Sequence, residues 1–175
     1  ISDNMLNKMR RHVSKAETYE LIEKFRREVP DIHLRTTLMV GHPGETEEDF
    51  AKTMKLIDEI GFDVSFSFVF SARPGTPAAE LSDTTAAEVK LERLQHLQKV
   101  LNAQQFAISQ AMVGGTQKIL VNGYSKKHPE LMTGRTENNK LVVFAGQPRM
   151  LNQIITVIIT EAKMHSLIGE VLIQE

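Results

Sequence analysis

Apolar positions change their period along this chain, and each change marks a different element. Leu21, Ile22, Phe25 and Val29 recur at the spacing of one helical face. "SKAE" at 14–17 opens that helix with a Ser-x-x-Glu capping box, and Pro30 closes it. "HLRTTLMV" (33–40) is apolar and β-branched, which predicts a buried strand. Thr46 caps a second helix carrying Phe50, Met54, Ile57 and Ile60 on one stripe, and Gly61 ends it. "VSFSFVF" (64–70) alternates: Val64, Phe66, Phe68 and Phe70 share one face, and Ser65, Ser67 and Val69 the other. A strand covered by helices outside and lining a cavity inside reads this way. Strand, helix, strand in succession predicts a parallel βαβ unit.

Pro74, Gly75 and Pro77 make a loop of 71–83. "TAAE" (85–88) reads as another capping box, opening a helix that runs to about Met112. Leu94, Leu97, Leu101, Ile108 and Ala111 lie on its stripe, interrupted by Gln104. At ~1.5 Å per residue the helix is about 40 Å long, a candidate connector between two bodies. Gly114 and Gly115 then break the pattern. Four short β-rich runs follow, divided by turn formers, which suggests a small barrel or sandwich. The expected organisation is 1–112 as an α/β part with its long helix and 113–175 as an all-β domain.

Composition narrows the function classes. The net charge of −1 gives no general attraction to nucleic acid or membrane, so any such affinity must come from a local patch. No apolar run approaches the ~20 residues a membrane helix needs. The chain contains no cysteine, which removes disulfides, thiolate zinc sites and cysteine-held iron–sulfur clusters from its own chemistry. Cytoplasmic residence is the expectation. The chain starts at Ile1 and reads as a piece of something longer. The six His residues show no ligand spacing, and His42 reads as a turn residue.

Candidate chemistry collects in three places. "VGHPGETEEDF" (40–50) is glycine-rich after a strand, but Gly44 is followed by Glu45 rather than Lys-Ser/Thr. Glu47, Glu48 and Asp49 suit a helix start and would repel a phosphate, so a nucleotide-phosphate loop is excluded. Parallel α/β proteins bind ligands at the carboxyl ends of their strands. Taken alone the stretch reads as a strand-to-helix turn, but that rim combines Glu45 and exposed backbone at Gly41 and Gly44 with Arg73, a set suited to a cationic, zwitterionic or ribose-bearing ligand. In the β-rich tail, Lys126, Lys127, Arg135, Asn138, Asn139, Lys140 and Arg149 suit RNA, although composition alone favours a solvated surface with an Asn-Asn hairpin turn. Tyr124 could stack on a base, whereas Phe144 reads as core. "NKMRRHVSK" (7–15) carries cations without acids, as either an RNA contact or a solvated helix end.

"RTTLMVGHPGETEEDF", "SFVFSARPGTPAAEL", "ERLQHLQ" and "TGRTENNKLVVFAG" together resemble the radical S-adenosylmethionine (SAM) methylthiotransferases. The resemblance covers essentially the whole chain. "SARPGTPAAEL" and "GRTENNKLVVF" are similar to the branch that modifies isopentenyl-adenosine beside the tRNA anticodon. "ISDNMLNKMRR" and "LRTTLMVGHPGETEEDF" also resemble the branch that modifies a ribosomal protein; a free-standing RNA-binding module is the rival of another class. The resemblance implies the last part of a parallel (β/α) radical-SAM barrel followed by a small antiparallel TRAM β-barrel. It implies SAM as cofactor, with Gly41, Pro43, Gly44, Glu45 and Arg73 at its pocket, and 4Fe-4S clusters held by an N-terminal half that is this chain's partner. It further implies a tRNA anticodon stem-loop as RNA partner at Lys126, Lys127, Arg135, Asn138, Asn139 and Lys140. Without cysteines this chain alone is expected to be inactive.

Overall fold

The computed structural model describes residues 1–172. It divides into two compact units, Ile1–Gln104 and Gln105–Glu175, and the division falls inside the longest helix.

The first unit contains α1 (Asp3–Lys8), α2 (Lys15–Glu28), β1 (Arg35–Val40), α3 (Glu47–Ile60), β2 (Val64–Val69) and most of α4 (Ala87–Ala111). β1 and β2 pair in parallel, from Arg35 opposite Val64 to Val40 opposite Val69. The expected βαβ unit is therefore present. Ser14 and Thr46 each cap a helix through a complete capping box, with Glu17 and Asp49 as the reciprocal partners. Gly61 ends α3 in the left-handed conformation, φ +65°. α4 departs from the expected start. It begins at Ala87, and Asp83 rather than Thr85 supplies the local acceptor, taking the Thr85 N–H at 3.2 Å and the Lys90 ammonium.

The two faces of the small sheet differ. Leu38, Val40 and Val69 pack on Phe50, Ile57, Leu97 and Leu101 from α3 and α4. On the opposite face Phe66 is 62% exposed and Phe68 47%. Gln104 interrupts the α4 stripe for a reason: its amide donates to the Ile57 carbonyl at 3.0 Å, near the end of α3. α2 corrects the sequence reading. Ile22 packs with Tyr19 on Leu56, Ile60 and Phe62, but Leu21, Phe25 and Val29 face solvent. The two strands alone show a βαβ unit and no closed α/β barrel.

The second unit is a closed barrel in the order β3-β4-β5-β7-β6. Its strands are β3 (Thr116–Tyr124), β4 (Met132–Thr136), β5 (Leu141–Phe144), β6 (Ile154–Ala162) and β7 (Leu167–Val171). "TGRTENNKLVVF" is thus two strands around a tight turn, so four sequence runs yield five strands. The barrel is not purely antiparallel, because β5 and β7 pair in parallel. A short parallel pair closes the circle that the antiparallel hairpins leave open. Ile119, Val121, Met132, Val142, Phe144, Val157, Ile159 and Leu167 fill the interior. Met112, just past the end of α4, packs against them, whereas Ala111 is exposed.

Candidate ligand cleft and nucleic-acid interface

In the first unit, the loops after β1 and β2 build the strand-end rim. Gly41 turns the chain at φ +70° and its N–H donates to Glu45 Oε2 at 2.8 Å. Arg93 of α4 donates to the same oxygen at 3.0 Å, to the Glu45 carbonyl at 3.2 Å and to Glu47 at 2.9 Å. The Glu45 side chain is 4% exposed and that of Arg93 9%. Glu45 therefore faces inward and fixes the turn. Gly41 is covered, with Lys90 methylenes lying where its side chain would begin, whereas Gly44 is exposed and its carbonyl accepts from Lys8 Nζ at 2.9 Å. His42 and Pro43 are buried, with the His42 ring 5.0 Å from that of Phe70.

Two clefts open on this rim. One, of about 420 Å³, is lined by Met39, Phe68, Phe70, Ser71, Arg73 and Thr76, with Ala78 closing it. The other, of about 460 Å³, has Met39, His42 and Phe70 on one side and Lys8, Arg10 and Arg11 among its lining. Of the predicted rim set, Arg73 lines a cleft, while Gly41, Pro43, Gly44 and Glu45 form the turn behind. Arg93 and Lys90 were not singled out from sequence. They lie more than forty residues from the turn they hold, and no local pattern links them to it. No group of three or more His, Asp or Glu among the described residues could hold a metal.

In the barrel, the β4–β5 turn is tied internally. Arg135 Nη1 donates to the Asn139 carbonyl at 2.9 Å, and the Lys140 N–H to Thr136 Oγ1 at 2.9 Å. Asn139 occupies the left-handed region, φ +63°, which asparagine tolerates. Asn138 is half-buried and donates to Met112 sulfur at 3.9 Å, and Lys140 is 7% exposed. Arg135 and Asn139 are on the surface. Lys126 and Lys127 are also exposed, but in the β3–β4 loop. That loop and the β4–β5 turn lie at opposite ends of β4, roughly 13 Å apart at ~3.3 Å per residue. The structure therefore separates the predicted RNA residues into two groups. Arg149, between β5 and β6, joins the lysine end.

The sequence reading did not anticipate the outer face of β3. Leu120 lies across from both Arg135 and Ile154, and Lys118 flanks it on the same side, whereas the bulge between Val121 and Gly123 sets Tyr124 across from Met132. Ile154 is 71% exposed and Tyr124 49%. Alternation along β3 contains this signal, since its inward residues are Ile119 and Val121.

Residues 110–172 match the TRAM domain. The chain is also similar to proteins named tRNA-2-methylthio-N(6)-dimethylallyladenosine synthase. That of Alkalilimnicola ehrlichii is 51% identical over 171 residues, 98% of this chain and 38% of the relative. The protein of Bordetella pertussis is 49% identical over 170 residues, 97% and 38% of the two chains. That of Paracidovorax citrulli is 53% identical over 170 residues, again 97% and 38%. The chain thus spans well under half the length of these curated relatives. Half of its residues are shared with them from end to end, and the chain belongs to their family, matching the C-terminal region and carrying its TRAM domain.

Proposed function

We propose that this chain is the C-terminal part of a tRNA methylthiotransferase that adds a methylthio group to isopentenyl-adenosine beside the anticodon. The observation that carries the reading is the 51% identity, across 98% of the chain, to a synthase so named. The ribosomal-protein alternative has no comparable support. In this reading the enzyme works in the cytoplasm, where tRNA is.

The two units divide the work. The barrel holds the anticodon stem-loop, with Arg135 and Asn139 at one end and Lys126 and Lys127 at the other, while half-buried Asn138 and buried Lys140 shape the turn behind Arg135. Cations meet phosphates there, Leu120 and Ile154 offer unpaired bases an apolar surface, and Tyr124 offers a ring at the lysine end of β3. The βαβ unit is part of a radical-SAM barrel that further strands complete. Its exposed Phe66 and Phe68 belong to the face that the barrel encloses.

The rim fits SAM in kind. Met39, Phe68 and Phe70 supply apolar wall, and Ser71 and Arg73 supply polar groups. Gly41, Pro43, Gly44 and Glu45 shape this pocket from behind, Glu45 by locking the turn to Arg93. Iron–sulfur clusters do not fit this chain, which has no cysteine, so their ligands belong to another part of the enzyme. SAM and the clusters supply the radical and methyl chemistry; the residues described here position substrate and exclude water.

The test is fluorescence titration of the chain with an anticodon stem-loop RNA at several salt concentrations. Saturable binding whose affinity falls with salt is expected. Absence of binding at low salt overturns the reading.

A further inference from the structure

The end of α1 brings unpaired cations to the strand-end rim. Arg10 has φ +55°, in the left-handed region where glycine or asparagine is the usual occupant. Its N–H reaches the Asn7 carbonyl at 3.0 Å, and the Arg11 N–H the Leu6 carbonyl at 2.8 Å. This turn leaves both arginines lining the cleft that holds His42, Phe70 and Met39. Lys8, the third cation, is engaged by the Gly44 carbonyl. The side chains of Arg10 and Arg11 have no hydrogen-bond or ion-pair partner among the described residues, and no carboxylate lines the cleft.

Cations after a helix complement its C-terminal dipole, and that alone is a bland explanation. It accounts for the charges but not for an arginine in a conformation that glycine adopts without strain. Backbone strain of this kind is associated with side chains that have a use.

We propose that Arg10 and Arg11 form a phosphate site for an RNA strand, one of whose bases enters the adjoining cleft. This rests on the reading of the chain as part of an RNA-modifying enzyme, and it adds an RNA contact outside the TRAM domain. Charge selects the ligand class. SAM carries a sulfonium, an ammonium and one carboxylate, so it is a net cation, and Lys8, Arg10 and Arg11 oppose its entry from this side. A phosphodiester strand carries one negative charge per nucleotide, and the guanidinium fork meets two phosphate oxygens at once.

The experiment titrates the 175-residue chain with a labelled anticodon stem-loop RNA over a range of salt. Arg10→Gly retains the turn, so its Tm is expected at or above that of the parent. Arg10→Gly and Arg11→Ala each weaken binding about tenfold and lower the salt slope by roughly one unit. Lys24→Ala, which removes an exposed cation of α2, changes neither. Excess SAM does not displace the RNA. Parent-like affinity and slope in both arginine variants overturn the inference, as does displacement by SAM from the parent chain but not from the variants. A parent chain that binds no RNA contradicts the underlying functional reading instead, and the inference falls with it.

Discussion

Glu45 Oε2 receives two hydrogen bonds, from the Gly41 N–H at 2.8 Å and from Arg93 Nη1 at 3.0 Å. One carboxylate oxygen thereby joins the turn after β1 to a helix that begins more than forty residues later. Both side chains are buried, so removing one charge strands the other away from water. Arg93→Leu is expected to destabilise the first unit by about 3–5 kcal/mol. Glu45→Gln/Arg93→Leu together cost less than Arg93→Leu alone, because no lone charge remains. Urea unfolding of the single and double variants measures the difference.

Asp49 gives the first unit an acid-sensitive joint. Burial pushes its carboxyl up, but hydrogen bonds from Ser2, Thr46 and Asn4 outweigh this and hold it below the usual 3.8. A depressed folded-state value means that Asp49 contributes stability above pH 3.8, which is lost as pH falls through the lower folded value. Asp49→Asn is therefore expected to lower Tm at neutral pH and to flatten the acid limb of the Tm–pH curve below 3.8. Thermal melts across pH check this. An acid limb as steep as the parent's rules it out.

Much of this fold was legible because its signals are local. Ser14 and Thr46 cap helices through side chains three residues apart, and Gly61 stops a helix with its own backbone. The alternation of Phe66 and Phe68 with Ser65 and Ser67 correctly divided β2 into two faces. What was hidden depends on tertiary contact. Leu21, Phe25 and Val29 have helical spacing but nothing in the first unit covers them, since α2 uses Tyr19 and Ile22 instead. Lys140 was grouped with exposed cations, yet the Thr136 turn carries it to a buried position. The parallel β5–β7 pair has no sequence signature, because strand partnership across the barrel is set by closure. At the rim, glycine and carboxylate were visible, but the direction in which Glu45 points was not. Arg93 decides it.

Gly134 tests the tightness of barrel closure. A Cβ there would lie 2.9 Å from Ile119 Cδ1 and 3.0 Å from the Leu120 carbonyl. The carbonyl belongs to the adjacent strand and cannot yield without disturbing β3–β4 pairing. Gly134→Ala is expected to cost about 1–3 kcal/mol by overpacking. The cost should appear in the second unit's unfolding transition, and an unchanged transition contradicts the packing argument.

The separation of the barrel's cations along β4 predicts independent action on RNA. Arg135→Ala and the paired change Lys126→Ala/Lys127→Ala share no hydrogen-bond partner and lie at different ends of the strand. Their effects on binding free energy are expected to add within about 0.5 kcal/mol. Each lost phosphate contact lowers the salt slope by roughly one unit. Strong coupling between the two changes means that the RNA, or the loops, bring the two ends into one site.

The most direct measurement replaces the matching region of the Alkalilimnicola ehrlichii synthase with this chain and quantifies methylthio-modified adenosine in tRNA by mass spectrometry. The host strain lacks its own synthase. The chimera is expected to restore the modified nucleoside, and the Arg135→Ala chimera to restore less. A chimera that is folded and carries its full iron content, yet leaves tRNA unmodified, contradicts it.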